Sequence, residues 1–183
     1  DDDNSDNAFD GLADQTVTVT TIDNDAVGFT LSTTTASVTE AGSTATFTVV
    51  LDTQPTSNVV LTVASADTGE ATVSPTPLTF TTGNWDSTQT VTVTGVDDSI
   101  DDGNQDTTVT IAVDDDNSDN AFDGLADQTV TVTTIDNDAV GFTLSTTTAS
   151  VTEAGSTATF TVVLDSQPSS NVVLTVASAD TGE

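Results

Sequence analysis

Residues 1–70 return as residues 114–183, a period of 113, with two differences: Ser166 stands in place of Thr53 and Ser169 in place of Thr56. A period that long is the length of a whole domain rather than of one solenoid turn. The chain therefore reads as part of a tandem array of near-identical folding units. Whatever one unit folds into, its neighbour folds into as well, and the same junction recurs with every period. Such identity suits a part used many times for length or valency.

Within the period the dominant signal is alternation. Thr44–Leu51 places Ala45, Phe47, Val49 and Leu51 on one face, and residues 90–94 and 129–133 alternate Thr with Val. A period of two marks a strand with one buried face, and Thr, β-branched yet polar, suits the other face. No stretch carries helical periodicity. The expected strands are A (28–33 with 36–39), B (44–52), C (58–65), D (71–74 with 78–81), E (88–97), F (106–113) and G (128–135). Seven short strands separated by Gly, Pro, Asn and Asp turns predict an all-β chain folded as a seven-stranded antiparallel β-sandwich. The segment Ile22-Asp23-Asn24-Asp25, repeated as Ile135-Asp136-Asn137-Asp138, follows a Thr/Val strand and precedes a new one beginning at Val27. This places one complete repeat at 26–138, the closing part of a preceding repeat at 1–25 and the opening part of a following repeat at 139–183. The ends fall inside repeats, so a longer polymer is expected around them.

Charge sharpens the problem. The 183 residues hold 30 acidic side chains and no Lys, Arg or His, a formal charge of −30. Self-repulsion on that scale opposes folding. Two like charges ~4 Å apart cost about 4 kcal/mol at an effective dielectric of ~20, and only solvent can supply the compensating cation. Disorder is set aside because 34% of residues are hydrophobic and fall in ordered strand patterns. Nucleic acid and anionic membranes demand basic residues, and no apolar run approaches a membrane span. Neither nucleic-acid binding nor membrane insertion is expected. Cys is absent, so no disulfide supports the fold. Without His, Cys, Lys, Arg or Tyr, the chain has no general base near neutrality and no oxyanion stabiliser besides backbone. A glycosidase-type carboxylate pair would need an aromatic-lined cleft, and Trp85 is the single Trp. An enzyme is not expected.

Strand parity locates the carboxylates. If A runs upward, the A–B, C–D and E–F loops and the end of G share the top. Their acids are Glu40, Asp67, Glu70, Asp97, Asp98, Asp101, Asp102, Asp136 and Asp138. The bottom collects Asp52, Asp86, Asp114, Asp115, Asp116, Asp119, Asp123 and Asp127. Top meets bottom at each junction between repeats, so two acidic ends confront each other. Ca²⁺ accepts 6–8 oxygen ligands in flexible geometry, which suits Asp-rich loops. Mg²⁺ demands stricter octahedra, and zinc and copper sites usually want His or Cys. The top acids are therefore the expected Ca²⁺ ligands, together with counterparts one period away, Asp23, Asp25, Glu153 and Asp180. The alternative is a solvated acidic surface with sodium as counterion. A lesser candidate is the bottom loop carrying Asp114, Asp115, Asp116, Asp119 and Asp123, which does not match an EF-hand and could equally be a solvated turn.

Several segments taken in order, Ala36-Ser37-Val38-Thr39-Glu40, Leu78-Thr79-Phe80-Thr81-Thr82-Gly83-Asn84-Trp85, Val91-Thr92-Val93-Thr94-Gly95-Val96-Asp97-Asp98 and Ile135-Asp136-Asn137-Asp138, resemble the Calx-beta family and related tandem repeats of large bacterial surface adhesins. The resemblance covers 26–138. It implies an immunoglobulin-like sandwich with Ca²⁺ at its distal loops, held by Glu40, Asp97, Asp98, Asp101 or Asp102, Asp136 and Asp138, with Asp67 or Glu70 from the C–D loop. The family often places Glu in the E–F loop, where this chain has Asp101 and Asp102.

Among the remaining residues, Trp85 reads as a core cap at the D–E turn, with a sugar-stacking platform as the alternative. Phe29, Phe47 and Phe80 read as core. Phe122, in a polar loop, could pack across the junction. Gly83, Gly95 and Gly103 are expected at turns or bulges.

Three readings follow. The first is a Ca²⁺-rigidified structural repeat of an extracellular bacterial fibre or adhesin stalk, at the cell surface or in a secreted biofilm matrix, whose partners are neighbouring repeats of the same chain. The second is an adhesion module that binds carbohydrate or a partner chain with avidity. The third is a subunit of a self-assembling filament whose copies share strands.

Overall fold

The structure is a computed structural model that describes residues 8, 9 and 11–181. Two sheets pack face to face. The first has the order β1-β3-β7-β5, from β1 (Phe29–Leu31), β3 (Thr44–Leu51), β7 (Gln89–Gly95) and β5 (Ala71–Ser74). The second has the order β2-β9-β8-β4-β6, from β2 (Thr35–Thr39), β9 (Gln128–Ile135), β8 (Gln105–Val113), β4 (Val59–Ser65) and β6 (Leu78–Phe80). All pairings within these sheets are antiparallel except β2 with β9. Parity requires that exception, because the first and seventh strands of an alternating series run the same way.

The expected A and D each divide between the sheets, so seven expected strands become nine observed ones. A leaves β3 after Ser32, whose N–H donates to the Thr48 carbonyl at 3.0 Å, and joins β9 where Thr131 N–H donates to the Thr34 carbonyl at 2.9 Å. D breaks at Ser74-Pro75-Thr76-Pro77, where two prolines lack the N–H that a continuing ladder needs. The Thr76 hydroxyl caps the break by accepting from Val63 N–H at 3.0 Å.

The alternating apolar residues meet between the sheets. Phe47, Val49, Leu51, Val91 and Val93 come from one, and Val59, Leu61, Val63, Val109, Ile111, Val130 and Val132 from the other, all buried. Trp85 packs against this core from the turn after β6. Phe122 does not reach across the junction. It is 1% exposed inside its own sandwich, because Asp119 turns the preceding loop inward.

The repeated sequence supplies an internal control. Residues 15–22 match β9 residue for residue, yet they form no strand, and Val17 and Val19 are 87% and 82% exposed where Val130 and Val132 are 0%. The expected Thr/Val strand before Asp23 is therefore not formed. β9 is flanked by β2 and β8, and the counterparts of those partners one period earlier lie outside the 183 residues. β propensity expresses itself only against neighbours. Among the described residues of the following repeat, β10 (Phe142–Leu144) and β11 (Val162–Leu164) are the strands that pair.

Candidate metal centre

β2 ends at Thr39, and the next residue, Glu40, turns inward under the top of the sandwich. It is 2% exposed. Its N–H donates to the Ile135 carbonyl at 3.1 Å, which registers the end of β2 against the end of β9. Beyond β9 the chain folds back over Glu40. Asn137 N–H donates to the Glu40 carboxylate at 3.2 Å, and the Asn137 amide side chain donates to Asp97 at 3.1 Å. Asp136 accepts from Asp138 N–H and from Gly103 N–H, both at 2.7 Å. Gly103 adopts a φ of +74°, a left-handed turn open to glycine.

Two groups of three carboxylates result: Glu40 with Asp136 and Asp138, and Glu70 with Asp98 and Asp102. Within each group one oxygen per residue lies within 4.8 Å of the others. The charges of the two groups act on each other. Burial pushes the Glu40 carboxyl above its usual range; the Asn137 N–H works against this, and Asp136, Asp98 and Asp102 add to it. Burial likewise raises Glu70, reinforced by Asp102, Asp67, Glu40 and Asp98. Asp138 is raised by burial and then by Asp136, Asp97, Asp98 and Asp101. Asp136, by contrast, is held low, mainly by the N–H groups of Asp138 and Gly103. Glu70 Oε2 and Asp138 Oδ2 are buried with no hydrogen-bond partner. Crowded, partly dry, hard-oxygen donors with unsatisfied lone pairs are the donor set a Ca²⁺ ion takes.

The remaining top acids serve the loops. Asp67 accepts from Gly69 N–H at 2.8 Å, closing its own turn, so Glu70 is the C–D residue that joins the group. Asp101 accepts from Val140 N–H at 2.7 Å, so Asp102 is its E–F counterpart in the group. Asp98 also accepts from Ile100 N–H at 2.7 Å, which shapes the E–F loop. Asp97 is tied to Asn137. Asp23, Asp25, Glu153 and Asp180 are exposed and belong to neither group.

The bottom loop assembles no such group among the described residues. Asp119 instead clasps the B–C loop. One oxygen accepts from Thr56 N–H at 2.6 Å, the Thr56 hydroxyl at 2.7 Å and Ser57 N–H at 3.1 Å; the other accepts from Ala121 N–H at 3.0 Å. These bonds, the Thr56 hydroxyl foremost, lower its carboxyl to about 2. Asp114 accepts from the Asn117 side chain at 3.0 Å, and Asp115 and Asp116 lie exposed in a single 3-10 turn (Asp115–Asn117). Asp123 keeps one buried oxygen without a partner.

Sequence reasoning missed the residues beneath the site. Thr107 and Thr134 are 4% and 0% exposed. The Thr107 hydroxyl accepts from Asp67 N–H at 3.0 Å, and the Thr134 hydroxyl donates to the Glu70 carbonyl at 3.2 Å, so both strands hold the C–D loop from below. Their signal was a Thr in the inward register, in line with Val109 and Ile111 or with Val130 and Val132. Gly95 was also misassigned. It serves neither turn nor bulge but a close approach, since a Cβ there would stand 2.1 Å from the Thr39 carbonyl oxygen.

A family model described as the Calx-beta domain matches residues 23–138 and again 136–183. No curated protein matches the chain. Among solved structures, domains 1–6 of the surface layer protein SbsC align at 28% identity over 71% of this chain and 16% of that one, with a TM-score of 0.45. Domains 4 and 5 of SbsC align at 29% identity over 66% and 52%, with a TM-score of 0.43. SSP-19, an MSP-domain protein like family member in Caenorhabditis elegans, aligns at 17% identity over 58% and 97%, with a TM-score of 0.39.

Proposed function

The chain belongs to the Calx-beta family, and on that premise we propose that it is a Ca²⁺-rigidified structural repeat of an extracellular bacterial fibre or adhesin stalk. The observation that carries this reading is Glu40: a carboxylate 2% exposed, gathered with Asp136 and Asp138, in a chain without a single Lys, Arg or His. A buried charge left unpaired costs several kcal/mol. No side chain here can offset that cost, whereas a divalent cation bound at each group would offset much of its charge.

Glu40, Asp136 and Asp138 would hold one ion and Glu70, Asp98 and Asp102 another. The ions supply charge compensation and tie four segments together: the A–B turn, the C–D loop, the E–F loop and the end of β9. The last of these leads directly into the following repeat, so fixing it fixes the direction in which the array continues. The partner in this reading is the neighbouring repeat, and the periodic near-identity of the sequence makes every junction alike.

Thermal melting and small-angle scattering in calcium and in chelator test the proposal together. Calcium should raise the melting temperature and lengthen the particle. Identical melting and scattering profiles in both conditions would remove the stiffening role.

A further inference from the structure

The linker that leaves β9 has its backbone N–H groups taken up in turn by side chains of the repeat it leaves. Asn104 accepts from Asp136 N–H at 3.2 Å, Glu40 from Asn137 N–H at 3.2 Å, Asp136 from Asp138 N–H at 2.7 Å and Asp101 from Val140 N–H at 2.7 Å. The first three bonds stay within 26–138. The fourth crosses the boundary and holds the opening residues of the next repeat.

On the far side of that boundary the chain enters a fixed seat. The Gly141 carbonyl accepts from Asp165 N–H at 3.0 Å, and the Asp165 carboxylate accepts from the Thr143 hydroxyl at 2.8 Å. A Cβ on Gly141 would stand 2.5 Å from Asp165 Oδ2, so the backbone lies against that carboxylate with no room for a side chain. The complete repeat has the same seat. The Gly28 carbonyl accepts from Asp52 N–H at 2.9 Å, Asp52 accepts from the Thr30 hydroxyl at 2.8 Å, and a Cβ on Gly28 would stand 2.4 Å from Asp52 Oδ2. The seat therefore belongs to the β1–β3 pair and to its counterpart β10–β11, and needs nothing beyond them. Val27, the counterpart of Val140, donates its N–H to no group within 26–138, so each repeat leaves this donor for the repeat before it.

We infer that Asp101 is the junction clamp of the array, a positioning residue whose carboxylate holds the Val140 N–H and so sets the direction in which the next repeat departs. Between the peptide that Asp101 holds and the peptide that Asp165 holds, only the backbone torsions of Val140 and Gly141 are free. Little slack is left for one repeat to swing against the next. Adjacent carboxylates divide the work of the E–F loop: Asp102 joins the Glu70 group, while Asp101 reaches the linker. The clamp is a direct charge-assisted hydrogen bond, so it acts with metal or without it and does not depend on the calcium reading. Donor at one end and acceptor at the other make the contact head-to-tail, and it propagates along the array without closing.

Two substitutions in the full chain, studied by NMR in chelator, test the clamp. Asp101→Ala removes the acceptor, whereas Asp101→Asn drops the charge and keeps an acceptor oxygen. Asp101→Ala should speed amide exchange at Val140 by about tenfold, the scale of one hydrogen bond to a charged group. It should also lower the heteronuclear NOE at Ala139, Val140 and Gly141. Asp101→Asn should hold both readouts near the parent values. Exchange in β8 and β9 is the control that each variant is folded, and Asp138 N–H, which Asp136 holds, should keep its parent rate. Val140 exchange and linker order unchanged in Asp101→Ala would overturn the clamp. So would an Asp101→Asn variant as loose as Asp101→Ala, because the effect would then belong to the charge and not to the acceptor. Working in chelator keeps this test apart from the calcium reading, which melting and scattering decide.

Discussion

Gly95 and Thr39 sit against each other with no room for a methyl group: a Cβ on Gly95 would lie 2.1 Å from the Thr39 carbonyl oxygen. The contact joins the two sheets at the top edge, where β7 ends under the end of β2, and it sets the height at which Glu40 enters the sandwich. Gly95 N–H donates to the Ser43 carbonyl at 3.0 Å, and the following Val96 N–H donates to the Glu70 carbonyl at 2.9 Å, so one glycine spaces both carboxylate groups. Gly95→Ala is expected to cost about 1–3 kcal/mol, the usual price of overpacking, and to weaken calcium binding although no ligand is changed. Urea denaturation and calcium titration measure the two effects; an Ala variant as stable as the parent would show that the sheets can separate freely here.

Phe122 and Phe9 occupy the same place in the repeated sequence, but Phe122 is 1% exposed and Phe9 62%. Phe122→Ala should destabilise the fold by about 3–5 kcal/mol, as large-to-small core changes do. A loss below about 1 kcal/mol in urea denaturation would mean that Phe122 is not a member of the core.

This pair also marks what the sequence can and cannot reveal. Alternation identified the inward residues of β3, β7 and β9, from Phe47 and Val49 to Val130 and Val132, because a two-residue period is a local property. It could not say that A and D would change sheets, since that depends on which neighbour each half meets. Parity likewise gathered the top acids by loop, but choosing Glu70 over Asp67 and Asp102 over Asp101 required backbone donors, Gly69 N–H and Val140 N–H, whose positions are tertiary. The Calx-beta resemblance was legible for a different reason: the order of its motifs survives without coordinates.

The pH dependence should invert with calcium. Glu40, Glu70 and Asp138 are raised above their ordinary values in the fold, so without metal the folded state holds protons that the unfolded chain has released. Stability without metal is then greatest below the ordinary carboxylate range of about 4–4.5 and is lost as pH rises through the raised values. With calcium, protons compete with the ion, and stability should rise over that same interval. Asp119 acts oppositely to the raised group: its carboxyl is lowered from 3.8 to about 2, so its contribution is present above 3.8 and lost as pH falls through about 2. Melting curves across pH 2–7 in chelator and in calcium check both signs; parallel curves would contradict the assignment of the raised carboxyls to a metal site.

Glu40→Gln separates charge from shape. In chelator the amide removes a buried like charge and should raise the melting temperature. In calcium it removes a ligand, and the stabilisation that saturating ion gives the parent, about 2.7 kcal/mol at a hundredfold excess over Kd, should largely vanish. The two effects cross, which a merely structural glutamate would not produce.

The most direct measurement is a crystal structure of the chain grown in calcium, with an anomalous difference map at a wavelength where calcium scatters. The account predicts peaks 2.3–2.6 Å from carboxylate oxygens of Glu40, Asp136 and Asp138, and of Glu70, Asp98 and Asp102. A map with no peak at either group, from crystals held at saturating calcium, would contradict it.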